Sequence, residues 1–250
     1  MSPITSAERS RTGAPRTAGC GPATAHRAGP GRIPLRLADR YFLAAHTGTD
    51  RLVPRVDPAL VALGCAGGLL AELLLEDEIG VDPAVHPRGP GMPPDFLAWS
   101  VLREVRAAPD HDVRTWVRHL APGAAQKVRA RLTIIDVLRE VPPGRFRGAG
   151  CRRVPGPDRP ADDVRELFRR AETTAPGTGM ITVPAVQAEV CLAVLAAATG
   201  VAARLGLPRA EARAAAGRAE QWRDRLPAGL RAVVGEVAAA QAQCALTPRR

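Results

Sequence analysis

Arginine is the side chain through which this sequence can act. Lys127 is the only lysine, so the basic complement is almost wholly guanidinium. Two arginine groups have the spacing of a binding surface. Arg145, Phe146 and Arg147 lie on one side of Gly148-Ala149-Gly150, and Arg152 and Arg153 lie on the other. Basic and apolar residues together suit a membrane surface, where each cation near anionic lipid contributes about 1 kcal/mol. The second group is Gln126, Lys127, Arg129 and Arg131. At about 100° per residue, Gln126 and Arg129 share one flank of a helix and Lys127 and Arg131 share the opposite flank. Val128, Leu132 and Ile135 form the buried seam between them. The plain alternatives are a solvated basic helix and an ordinary exposed loop.

Other chemistries find no support. There is no GxGxxG after a strand, and no GxxxxGK[ST], GxSxG or HExxH. Gly64-Cys65-Ala66-Gly67-Gly68 falls within a helical pattern, so it does not form a phosphate loop. The five histidines are scattered. Asp110-His111-Asp112 stands at a helix start, where carboxylates favour the helix dipole, so capping is preferred to metal binding. The five cysteines contain no CxxC pair, and Cys65 and Cys191 sit in apolar helices as core thiols. No acid, base and nucleophile can be assembled. The expectation is a protein that is not an enzyme, with no cofactor and no metal.

The elements that carry these residues are helical. Residues 1–32 read as a disordered basic tail, dense in Gly, Pro, Ser, Thr and Ala. A domain over residues 33–247 follows. Leu37, Tyr41 and Ala44/Ala45 have the spacing of a short amphipathic helix. Asp57-Pro58 gives an N-cap with proline at the first position. The helix over 58–76 is apolar all round, hence buried, and close packing would compensate for its glycines. Ile79-Gly80-Val81 reads as a short extended piece and 83–94 as a loop. Further helices are expected from Asp95 to Ala107 and from Asp110/Asp112 to Pro122-Gly123, which separates the latter from another over 124–141. A β-hairpin over 145–154 comes next. Helices then open near 160, after Pro184 toward Leu205, and over 209–224 and 228–245. The fold class is mainly α, a single globular multi-helix domain with one small β-hairpin. No segment reads as a signal peptide or a bilayer-crossing helix, so the expected compartment is cytoplasmic.

The formal charge is +10 on 250 residues. It divides into +4 on the tail (five Arg, one Glu) and about +6 on the domain. A basic protein favours anionic partners. Only 3% of residues are aromatic, which argues against base-stacking modules. With no groove-reading motif, no specific nucleic acid is expected.

The order of segments resembles the Golgi phosphoprotein 3 family. Pro34-Leu35-Arg36-Leu37-Ala38-Asp39-Arg40-Tyr41-Phe42-Leu43 is similar to its opening helix. Residues 64–73 resemble its glycine-containing core helix, in which small residues precede a Glu-Leu pair (Glu72-Leu73). Ile79-Gly80-Val81 matches its short strand. Trp116-Val117-Arg118-His119-Leu120 and Val128-Arg129-Ala130-Arg131-Leu132 resemble two later helical motifs, the second followed by a basic hairpin. The likeness covers about residues 34–205. It implies a mostly helical domain and a bacterial, non-enzymatic relative of adaptors that bind phosphatidylinositol 4-phosphate and act peripherally on a membrane.

In that family the headgroup pocket uses a Trp, an Arg in the core helix and two basic residues three apart. The matching positions here are Asp57, Ala66, Gln126 and Arg129, of which Arg129 alone keeps its base. The resemblance therefore implies an anionic phospholipid headgroup, such as a phosphatidylinositol phosphate, held by Arg129, Gln126 and Arg55. Arg145, Phe146, Arg147, Arg152 and Arg153 would face the membrane's inner surface. The alternative is a soluble helical module with a protein partner that has lost specific phosphoinositide binding. Each missing charge-assisted hydrogen bond is worth about 1.5–3 kcal/mol.

Overall fold

The apolar run after Asp57 becomes the helix on which the others pack. The Asp57 carboxylate accepts from the Ala59 N–H at 2.9 Å, and Pro58 takes the first helical position, where no N–H is needed. α2 (Pro58–Leu75) follows. In this computed structural model, residues 34–91, 93, 95–142, 150–154, 164–204 and 209–246 are described. Helices α1 (Leu37–Ala44), α4 (Val113–Ile134), α6 (Pro184–Ala198) and α8 (Ala228–Leu246) surround α2. α3 (Phe96–Ala107) lies along α4, while α5 (Val164–Thr174) and α7 (Arg209–Arg225) pack on α6. By length and composition α2 could cross a membrane. It is instead a core helix, buried from Leu63 to Leu73.

Small residues set how closely α2 is approached. A Cβ at Gly64 would fall inside the Tyr41 ring, and one at Gly68 would lie 3.0 Å from the Ala38 backbone. One at Gly67 would meet Leu195 of α6 and Val237 of α8. The expected compensation for helical glycines is thus present at each site.

Several boundaries differ from expectation. Pro122 does not divide two helices: α4 runs unbroken from Val113 to Ile134. Val113, Trp116, Val117, Leu120, Ala124, Val128 and Leu132 make one continuous buried stripe. Pro122 lies on the exposed side, where the carbonyl it leaves unpaired can be hydrated. The helix ends at 134 rather than 141, because Asp136 adopts φ +54° and the Val137 N–H returns to the Leu132 carbonyl at 2.9 Å. This is a Schellman-type stop. α6 ends at Ala198 rather than near 205, with Gly200 at φ +76°.

The single hairpin is replaced, among the described residues, by three two-stranded antiparallel sheets. β1 (His46–Thr47) pairs with β2 (Val53–Pro54), and β3 (Ile79–Val81) with β4 (Val85–Pro87) in the stretch expected to be loop. β5 (Leu138–Val141) pairs with β6 (Gly150–Arg153). The partner of the Cys151-Arg152-Arg153 strand is therefore 138–141, which had read as the end of a helix. Gly150, read as turn, is a strand residue opposite Val141. Leu138 is buried while Arg139 and Glu140 are exposed, which anchors the strand by one residue. Residues 1–32, Arg145, Phe146 and Arg147 lie outside the described residues.

Candidate anion-binding site

Two charge clusters flank α4, and the sequence did not separate them. The inner one centres on Arg131, which is 7% exposed. Its Nε donates to Asp39 Oδ1 at 2.9 Å, its Nη1 to Asp95 Oδ2 at 2.8 Å and its Nη2 to Glu72 Oε1 at 3.2 Å. Arg36 reaches Glu72 Oε2 at 3.1 Å and Glu76 Oε1 at 2.6 Å. The Ala38 N–H donates to Glu72 Oε1 at 2.7 Å. Burial pushes the Asp39 and Glu72 carboxyls above their ordinary values, against the pull of Arg131. Burial opposes the Arg131 charge as well, but Glu72 and Asp39 outweigh it and hold the guanidinium above its ordinary value.

Arg131 therefore does not share a solvated flank with Lys127. It is covered by α1 and by the start of α3, and its role is to hold these elements to α2 and α4. The one available signal was Glu72, the single acid inside an apolar helix, which had to find a buried cation. Lys127 does lie on an exposed flank. It pairs with Glu104 of α3 at 3.2 Å, and Glu104 also bonds His119 at 2.9 Å.

The outer cluster forms where α1 ends. The carbonyls of a last helical turn are unsatisfied and attract cations. Arg153 Nη2 donates to the Leu43 carbonyl at 2.7 Å. The Arg55 N–H donates to the Ala45 carbonyl at 2.8 Å, and Arg55 Nε donates to the His46 carbonyl at 3.2 Å. His46 lies 2.7 Å from the Phe42 carbonyl through Nδ1. Arg129, 35% exposed, comes from α4, with Nη2 3.3 Å from the Gly150 carbonyl and 3.6 Å from Glu140 Oε1.

The 48–52 loop is stitched to β6 by the Leu52 N–H on the Cys151 carbonyl at 2.7 Å. The Arg153 N–H on the Thr49 carbonyl at 2.9 Å completes the seam. That seam brings the Arg51 guanidinium against Gly150, whose absent Cβ would lie 3.0 Å from it. Burial lowers the pKa of His46, and the charges of Arg153, Arg129 and Arg55 lower it further. The charges of Arg55, Arg129 and Arg153, far apart in sequence, are thus all felt at one imidazole.

The remaining candidates stand around this cluster. Gln126 is exposed one turn before Arg129, and Arg152 is half-buried opposite Arg139 in the β5–β6 register. Ala66 is fully buried. Asp57 caps α2 through its carboxylate. Sequence reading missed Arg51 and His46 because only the β6 seam and the end of α1 bring them to Arg129.

A family model described as Golgi phosphoprotein 3 (GPP34) matches residues 37–238. The chain belongs to the Golgi phosphoprotein 3 family. The match runs from the start of α1 into α8, so α7 and part of α8 belong to the family domain, beyond the 34–205 expected. A search of curated proteins finds no significant match.

Proposed function

We propose that this Golgi phosphoprotein 3 family member is a non-enzymatic adaptor that attaches peripherally to an anionic membrane surface. A phosphorylated lipid headgroup would be held by Arg129 and Arg55, with Gln126 at its edge, and the basic stretch of Arg145, Phe146, Arg147, Arg152 and Arg153 would meet the lipid surface. The gathering of Arg55 and Arg153 on the carbonyls at the end of α1, with Arg129 on the Gly150 carbonyl of the adjoining β6, carries the reading. The inner face of the cytoplasmic membrane is the corresponding location.

Cosedimentation tests this reading. Vesicles of phosphatidylcholine with phosphatidylinositol 4-phosphate should capture more protein than phosphatidylcholine alone. Arg129→Ala should weaken capture about tenfold, one charge-assisted bond's worth, while Lys127→Ala, on the flank facing α3, should leave it near wild type. Equal effects would mean diffuse charge attraction, and equal capture by both vesicles would end the lipid reading.

A second reading is a helical protein-interaction module without specific lipid binding. Phe96 and Ile134, each 83% exposed, favour it. So do Asp57 and Ala66, which place no free base at the family's pocket positions.

A further inference from the structure

His46 sits where an anion and a proton would each help the other to bind. Its Nδ1 faces the Phe42 carbonyl, which can only accept, so Nδ1 carries the hydrogen and Nε2 holds the lone pair of the neutral ring. The ring is half-buried and lies 4.2 Å from the Phe42 ring, which fixes its orientation. Two influences compete for its proton. The carbonyl end of α1 favours an imidazolium. Arg55 from the segment after β2, Arg129 from α4 and Arg153 from β6 oppose it. Arg51 stands beyond them at Gly150, and Glu140 lies 3.6 Å from Arg129.

We propose that anion binding among Arg55, Arg129 and Arg153 is coupled to protonation of His46, so that attachment tightens as pH falls through the histidine range. The inference rests on the headgroup reading and names the regulation of that same site. A phosphate or sulfate group placed among the three guanidiniums offsets their repulsion of the imidazolium and offers an acceptor to Nε2–H. Binding the anion then raises the affinity of His46 for its proton. By linkage the proton raises the affinity for the anion by the same factor. A rise of about one pKa unit on binding corresponds to about tenfold tighter binding at acid pH.

Imidazole NMR titration of the full chain tests the coupling. Sulfate is the probe for a free anion because its charge is constant over this range, unlike that of a phosphomonoester. At fixed ionic strength, His46 should titrate below the ordinary histidine value without sulfate, and about one unit higher with it. Sulfate should bind about fivefold tighter near pH 5.5 than near pH 7.5, part of the roughly tenfold reached well below both midpoints. His46→Gln should keep the fold, by circular dichroism, and lose that pH dependence. On phosphatidylinositol 4-phosphate vesicles the ratio of wild-type to His46→Gln capture should grow as pH falls.

An unchanged His46 midpoint with sulfate, or a His46→Gln variant that keeps the wild-type pH dependence, overturns the coupling. Vesicle capture with an unchanged midpoint rejects the coupling and keeps the headgroup reading. A sulfate-induced rise without vesicle capture keeps the coupling and rejects the headgroup.

Discussion

Arg129 and Arg131 are two residues apart on α4 and meet opposite fates. Two residues is about 200° of helix, enough to send one guanidinium to the surface and the other under α1. Arg131 pairs with three carboxylates, the buried Asp39 and Glu72 and the partly exposed Asp95. Removing it leaves Glu72 with Arg36, and Asp39 and Asp95 with the backbone N–H groups of Arg36 and Ala98. Arg131→Met should cost about 3–5 kcal/mol of stability by urea denaturation. The sign of its pH dependence follows from Asp39 and Glu72, whose pKa values are raised in the native state. Ionisation of these groups weighs against the fold as pH rises, and losing Arg131 removes the charge that holds them down, so the penalty is larger in the variant and fades when they are protonated. The deficit of Arg131→Met should therefore shrink as pH falls from 7 toward the carboxylate range near 4, read as a closing gap between the urea midpoints of variant and wild type. Burial likewise pushes the Cys191 thiol up to about 12, so it is inert at neutral pH.

At the scale of elements, α1 is held against α2 by absence of side chain. Tyr41 is fully buried, donates to Thr199 Oγ1 at 2.9 Å and has no room to withdraw from Gly64. Gly64→Ala should destabilise by about 1–3 kcal/mol or more, the range for overpacking a core. Gly235 of α8 has nothing within 4 Å of its would-be Cβ. Gly235→Ala should stabilise by about 0.4–1 kcal/mol through the unfolded chain. Thermal melts of the two variants should move in opposite directions, and a loss at both positions would contradict the packing described for α1 and α2. The same elements carry function: the end of α1, fixed by this contact, supplies the carbonyls around which His46, Arg55 and Arg153 gather.

On the scale of the whole molecule, the +10 charge is not spread evenly in purpose. Some arginines, such as Arg131 and Arg40, are consumed by internal pairs; Arg40 bonds Glu189 through both nitrogens at 2.7 and 2.6 Å. Others form the outer cluster. The +4 of residues 1–32 is a separate contribution. Removing these residues should make vesicle capture less steeply dependent on NaCl, since fewer charges are screened. It should leave the ratio of wild-type to Arg129→Ala capture unchanged. Cosedimentation across a salt series checks this, and a collapse of that ratio would place the tail inside the specific site.

The sequence by itself determined what depends on neighbours along the chain. The N-caps at Asp57 and Asp95, the buried character of α2 and the mainly helical class all rest on local spacing, while the choice between Asp110 and Asp112 fell to the structure, which caps α4 with Asp112. Family membership too was legible in motif order. Local signals failed at Pro122, where a long buried stripe outweighs one proline, and at 138–141, where an apolar-polar run fits helix or strand until a partner is present.

The candidate site was half legible. Arg55, Gln126 and Arg129 could be named, but Arg51 and His46 could not, and Arg131 was assigned to the wrong environment. Only the tertiary structure decided which arginine faces water. A guanidinium's fate depends on whether carboxylates from distant segments arrive beside it, and in Arg131 three of them do.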